Sequence, residues 1–298
     1  MLDRTAAARG EMMGRVFRRG RRTLDGNRGT ERSFRWPEDA RAAVSFSFDD
    51  ARPSQLTRGV PLLERLEVPA TFFVLPGVVA AEREDWLRVI GLGHEIGNHT
   101  CSHPCGGVVS SSGSYAGPDS AWGASDALHA LTLTDMRREL VSANNTLREL
   151  LGVVPSVFAY PCGQTSIGRG ADTQSYVPLV AELFSAGRTF NDRWANSPAI
   201  CDLSQIACVS CDGVTFSQLE PYFEAARANG GWLVLGGHDV GDSAGLSRTA
   251  AKTLEDAVGW CRRGRVWIDM VGTVSGYVSA VRREPALAGV ATGSASRR

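Results

Sequence analysis

The 298-residue sequence predicts an α/β protein, a distorted (β/α) barrel of about seven parallel strands. One observation leads to the class and a second to the barrel. Short apolar or alternating runs of strand length alternate about seven times with stretches of helical period. That alternation implies parallel strands joined by right-handed crossovers, in a barrel or a doubly wound sheet. Polar doublets and histidines also fall repeatedly just past a strand's C-terminal end. That rim is where α/β barrels build their sites, which favours the barrel.

The elements follow in order. Ala43 to Phe48 alternates as a strand does and stops at Asp49-Asp50. Leu56, Val60 and Leu63 have helical spacing within Leu56–Leu66, and Ala70–Leu75 reads as a short buried strand closed by Pro76-Gly77. Ala80–Ile90 is a helix candidate with Trp86, Leu87 and Ile90 on one face, and Glu95–Asn98 is a short strand ending at His99. Residues 106–128, rich in Gly, Ser and Ala, break the rhythm as a long loop insertion carrying Tyr115 and Trp122. A helix starts at Thr134-Asp135 and stops at Gly152. Pro155–Tyr160 is a strand ending in Pro161-Cys162-Gly163, followed by a helix near Leu179–Ser185 and strands near Arg188–Phe190 and Ile206–Val209. Ser217–Ala228 is helical, Trp232–Gly237 is a buried strand ending at His238-Asp239, Arg248–Cys261 is helical, Val266–Met270 is a strand, and a last helix runs near Val274–Val281.

Composition narrows the function. Thirty-two basic and 32 acidic residues leave no net charge, which argues against nucleic acid as a partner. No run reaches about 18 apolar residues, so no membrane-spanning helix is expected. Residues 1–40 hold ten arginines and no apolar period, and the polar stretch after Arg21-Arg22 lacks the apolar core of an export signal. We read 1–40 as a flexible arginine-rich leader, 41–283 as the folded domain and 284–298 as a flexible tail. Seven cysteines without small-scaffold spacing read as reduced thiols in the cytoplasm.

Four features carry possible chemistry. His99 and His103, four residues apart, would share one face of a helical turn, as ligands of a divalent metal do; the alternative is two surface histidines. Asp49-Asp50 ends a strand, where extended neighbours point to opposite sides; one could hold a metal while the other faces a water, although alone the doublet reads rather as a helix cap. His238 follows a buried strand and has a pKa range suited to general acid work, although a lone histidine there is more often structural. Tyr160-Pro161-Cys162-Gly163 is a turn that could aim a backbone N–H at a developing oxyanion, or simply end a strand.

In this order on an alternating chain, the four features resemble the polysaccharide deacetylase family, the NodB-homology or carbohydrate esterase family 4 fold, over roughly residues 41–282. Ser47-Phe48-Asp49-Asp50 is similar to the family's first motif, Thr-Phe-Asp-Asp, and His99 to His103 to its second, His-Ser/Thr-x-x-x-His. Phe158 to Gly163 is similar to the third and Leu235-Gly236-Gly237-His238 to the fifth. The resemblance implies a divalent metal, zinc above all, held by Asp50, His99 and His103, with Asp49 as general base, His238 as general acid and the Cys162 N–H, beside Tyr160 and Pro161, at the oxyanion. Three positions depart from the pattern: Ala159 stands where an arginine is common, Cys162 where an aromatic is usual, and Ala51 where Gly follows the aspartate pair. Arg188 could replace the missing arginine.

The implied activity is metal-dependent removal of N-acetyl groups from an N-acetylated sugar or polysaccharide. The alternatives are a same-fold amidohydrolase acting on a small non-sugar amide or cyclic imide, suggested by the absent export signal, and a non-catalytic carbohydrate-binding relative, suggested by Ala159. Outside the site we place Cys208 and Cys211 in the core and His94 and His129 away from the chemistry; Glu95 reads as a strand-edge surface carboxylate rather than a group supporting the site, and Asp239 and Asp242 either orient His238 or cap a helix.

Overall fold

A computed structural model of the protein describes residues 34–106 and 127–284. Most of the expected leader, nearly all of the expected loop insertion with Tyr115 and Trp122, and the tail beyond 284 lie outside the described residues.

Seven parallel strands form a nearly closed barrel: β1 (Ala43–Asp49), β2 (Thr71–Val74), β3 (Glu95–Asn98), β4 (Val157–Ala159), β5 (Ala186–Arg188), β6 (Cys208–Ser210) and β7 (Trp232–Gly237). Each pairs with its neighbour in sequence, except between β5 and β6, and β7 returns to β1. The gap between β5 and β6 is bridged by the parallel pair Arg188 and Ile206, with Ile206 N donating to Gly187 O at 2.7 Å. A short β8 (Trp267–Ile268) pairs with the start of β1 at Ala43 and Val44, whereas β2 joins only from Ser47 onward. This shared edge distorts the barrel.

The alternation in β1 separates two buried faces, not one buried and one wet face. Val44, Phe46 and Phe48 pack outward against the helices, and all seven residues of the strand are buried. Ser45 and Ser47 lie on the opposite face. A buried hydroxyl without a partner costs about 1–3 kcal/mol, and both are satisfied: Trp232 Nε1 donates to Ser45 Oγ at 3.0 Å and Ser47 Oγ donates to Leu235 O at 2.8 Å. Phe73, Ala159, Ala186, Cys208, Trp232 and Val234 fill the inner cluster. Gly97 is required there, because a Cβ on it would run into the Phe73 ring.

The helix Leu133–Leu151 begins one turn-residue earlier than expected, with Thr132 and Asp135 forming a capping box, and stops at Gly152 at φ +73°. The expected helix over 248–261 starts only at Ala251, because Arg248–Ala250 pairs with Asp239–Gly241 in a parallel ribbon. On the helix Arg83–Gly91 the buried face is Trp86 and Val89, with Leu87 and Ile90 at its margins. The described end of the expected leader is packed, not flexible. Trp36 is buried and donates from Nε1 to Gly230 O, and its ring lies against Phe34, Trp267 and Tyr277. Burial of these rings outweighs the polar composition around them. Among the described residues, no helix is long and apolar enough to cross a membrane.

Candidate active site

The groups singled out in the sequence gather at the C-terminal rim of the barrel. Asp49 is the last residue of β1, and Asp50 and Ala51 follow at φ +74° and +55°. These left-handed positions turn the Asp50 carboxylate away from that of Asp49, so one strand end supplies two separate environments. Ala51 holds a conformation that glycine adopts without strain.

His99 follows β3 directly. The expected helical turn is absent: residues 99–103 form a loop in which Thr100 and His103 both have positive φ, +68° and +50°. Local hydrogen bonds hold that shape. Asn98 Oδ1 accepts from Thr100 N at 2.7 Å, and Thr100 Oγ1 accepts from His103 N at 2.9 Å. Glu139 Oε2 accepts from Cys101 N and Ser102 N. Asn98 is itself held by the helix Leu133–Leu151 through Leu140 O and Asn144. His99 Nδ1 faces Ala159 O at 2.9 Å, which requires the proton on Nδ1 and leaves Nε2 as the free-electron-pair nitrogen.

Asp50 Oδ1 lies 3.5 Å from His99 Nε2 and 3.6 Å from His103 Nε2. The donor atoms of the three residues all lie within 4.8 Å of one another. Asp50 Oδ1 is buried and has no hydrogen-bond partner, while Oδ2 accepts from Arg52 Nη2 at 2.9 Å. Burial pushes the Asp50 carboxyl up, but the pull of His99 and the fields of His238 and His103 outweigh it and hold the group far below the carboxylate range. Burial, with repulsion from His99, pushes His103 down to about 4, so its ring is neutral near pH 7. A carboxylate and two imidazole nitrogens around an unbonded buried oxygen are a donor set that fits a divalent transition metal.

Asp49 Oδ1 forms an ion pair with Arg188 Nη2. Arg188 ends β5 and is 0% exposed. In register it stands directly opposite Ala159 on β4, and its guanidinium lies 4.7 Å from the Phe73 ring centroid and 5.4 Å from that of Phe190. The small Ala159 and the long Arg188 are therefore neighbours on the inner face of adjacent strands.

His238, just past β7, has a partner that the sequence reading missed. Asp212 Oδ2 accepts from His238 Nδ1 at 2.6 Å, and Asp212 Oδ1 accepts from His238 N and from Thr249 Oγ1. Burial alone would lower the His238 pKa; the bond to Asp212 and the fields of Asp50 and Asp49 raise it to about 9. Asp212 was legible only as one more carboxylate past a strand end. Asp239 and Asp242, the residues considered for this task, are engaged elsewhere, by Ser54 Oγ and by Arg58.

Of the turn Tyr160–Gly163, only Cys162 lines the cleft with Asp49, Asp50, His99, His103 and His238. Tyr160 points outward into the core, its hydroxyl donating to Ser204 O, and Pro161 is buried. Cys162 is not a free thiol. It forms a disulfide with Cys105, 57 residues away, which corrects the expectation that all seven cysteines are reduced. Alongside the bond, Gly106 N donates to Gln164 Oε1 at 2.7 Å and Gln164 Nε2 donates to Gly106 O at 3.1 Å. The turns after β3 and β4 are thus joined twice. A groove of about 530 Å³ adjoins the cleft across Phe190, His238 and Ser247.

The remaining candidates lie apart. Cys208 and Cys211 are buried in the core. His94 accepts at Nδ1 from Ala70 N, and His129 Nδ1 faces Gly168 O. Glu95 is not a surface carboxylate; it accepts from Thr71 Oγ1 and from Gly272 N at the start of the last helix, at the barrel's opposite end.

Fold and rim together define a class: a (β/α) barrel whose C-terminal rim carries one carboxylate with two imidazoles, flanked by an arginine-paired aspartate and an aspartate-paired histidine. Residues 37–173 match the family model described as polysaccharide deacetylase. A chitooligosaccharide deacetylase of Bradyrhizobium sp. (strain ANU 289) is 41% identical over 63 residues, 21% of this chain, and the chain spans 29% of that relative's length. A solved structure from Mycobacterium smegmatis, provisionally described as a polysaccharide deacetylase, superposes with a TM-score of 0.60 at 19% identity, over 84% of this chain and 94% of the other. The crystal structure of Puue allantoinase superposes with a TM-score of 0.56 at 14% identity, over 82% and 92%. At these identities the two structures are alike in fold.

Proposed function

We propose that the protein is a metal-dependent hydrolase that removes N-acetyl groups from an N-acetylated sugar or polysaccharide. The observation that carries the reading is Asp50 Oδ1, a buried acceptor with no hydrogen bond, facing the Nε2 atoms of two histidines. Asp50, His99 and His103 would hold the divalent cation, with zinc the first choice for a two-imidazole, one-carboxylate set. Bound there, the cation supplies Lewis-acid polarisation of a carbonyl and acidifies water.

The chain's own groups supply the rest. Asp49, aimed by its ion pair with Arg188, accepts a proton from the attacking water. Protonated His238, held by Asp212, gives a proton to the departing amine nitrogen. Such positioned proton transfers contribute about 10²–10⁴-fold each. The Cys162 N–H, fixed by the disulfide, faces the carbonyl oxygen as negative charge develops. The adjoining groove opens on the His238 side and takes the body of the substrate that leaves with the amine.

The domain over 41–283 would carry this activity, with 34–40 as part of its packed base. The experiment is acetate release from chito-oligomers measured beside a panel of small acyl amides and cyclic imides, with zinc supplied. Turnover of the oligomers supports the reading. Turnover confined to small amides or imides replaces the substrate class, and sugar binding without any turnover leaves a carbohydrate-binding protein.

A further inference from the structure

His103 faces two different groups of ligand atoms. Its Nε2 belongs to the set with Asp50 and His99, at 3.6 Å from Asp50 Oδ1. Its Nδ1 lies 3.6 Å from Cys105 Sγ. One nitrogen of His103 and the sulfurs of Cys105 and Cys162 form a second cluster within 4.8 Å, and all three residues are only partly buried. The sulfurs are presently bonded to each other. Opening that bond need not separate them, because the paired hydrogen bonds between Gly106 and Gln164 hold the two turns together independently.

We propose that the Cys105–Cys162 bond is reducible and that opening it creates a second metal site, made of the two thiolates and His103 Nδ1, for a soft cation such as Zn²⁺, Cd²⁺ or Cu⁺. The chemistry balances with a dithiol reductant. Its thiolate attacks one sulfur of the disulfide, its second thiol resolves the mixed disulfide, and two electrons and two protons pass to Cys105 and Cys162 as the reductant closes to a cyclic disulfide. The entering cation then displaces the two thiol protons to solvent, since thiolate is the ligand form, and where Nε2 of His103 already holds a cation the Nδ1 proton leaves with them, giving a bridging imidazolate. Two sulfurs and one imidazole select soft or borderline cations over Mg²⁺ and Ca²⁺. The Asp50, His99 and His103 set has a hard carboxylate where this site has two sulfurs, so reduction adds a softer site to the rim. The inference concerns metal binding alone and stands whether or not the protein hydrolyses amides.

Cobalt is the probe. Co²⁺ is titrated into the oxidised full-length protein and into protein reduced anaerobically with a phosphine, which becomes the phosphine oxide while water supplies the two thiol protons. The expected result is a sulfur-to-cobalt charge-transfer band in the reduced protein only, displaced by Zn²⁺ or Cd²⁺ and not by Mg²⁺. The other five cysteines are free in both forms, so the difference isolates this pair. Cys105→Ser with Cys162→Ser should abolish the band, and His103→Ala should weaken Co²⁺ binding at least tenfold. A reduced protein without the band overturns the proposal, as does a band of equal size in the double variant or a thiol count that reduction leaves unchanged. The oxidised-against-reduced comparison uses the native chain, so it stands even if a variant fails to fold.

Discussion

Arg188 and Ala159 stand side by side in the parallel register of β5 and β4, and Arg188 reaches from there to the Asp49 carboxylate inside the barrel. The small residue at 159 and the arginine at 188 thus share one position across adjacent strands. Ala159 leaves the space, and Arg188 fills it with a guanidinium packed between Phe73 and Phe190. The cationic partner of Asp49 comes from the end of β5.

Removing this partner should be costly. Arg188→Met leaves Asp49 charged and buried without its pair, a change worth about 3–5 kcal/mol. A lowered Tm together with loss of acetate release is the expected outcome. Moving the arginine to β4, as Ala159→Arg with Arg188→Ala, should recover part of both. If the single variant melts and turns over like the parent, Arg188 does not position Asp49.

Asp49→Asn keeps the shape of the side chain and removes the base. The fall in kcat should be about 10²–10⁴-fold. Metal content, measured on the same sample, should be unchanged, because Asp49 faces Arg188 and not the histidine pair. Full acetate release in this variant would refute the base assignment.

Metal analysis separates the holding residues from the proton-transfer residues. Asp50→Ala, His99→Ala and His103→Ala should each lose the bound ion and the activity, whereas Asp49→Asn and Asp212→Asn should keep the ion. A chelator should abolish turnover in the parent, and added Zn²⁺ should restore it. Retention of metal by all three alanine variants would remove the central premise.

The pH profile reports on His238. Its pKa is raised to about 9, so the proton it donates is present below that pH and lost above it. The alkaline limb of kcat/KM should fall near pH 9. Asp212→Asn removes the strongest raising partner and leaves burial to act, so the limb should move down by about 1–3 pH units. A limb that stays in place would mean that His238 is not the acid, or that Asp212 does not tune it.

The sequence by itself determined the strand and helix alternation, the strand ends, and hence that Asp49, Asp50, His99, Cys162 and His238 share one rim. Those signals are local: the period of two in a strand, the helical period, and the polar residue that stops an apolar run. Local pattern shows only that Asp50 and His99 lie at or just past such a stop; grouping them with His103 as one set came from the resemblance of their motifs to the deacetylase family. Tertiary structure alone decided the partners. Arg188 meets Asp49 across 139 residues, Asp212 meets His238 across 26, and Cys105 meets Cys162 across 57. Those pairings depend on which strands become neighbours and on the register with which the barrel closes. Local period is blind to both. The same holds for the loop 99–103, where side-chain hydrogen bonds from Asn98, Thr100 and Glu139 fix positive φ angles against the helical turn that a four-residue spacing suggests.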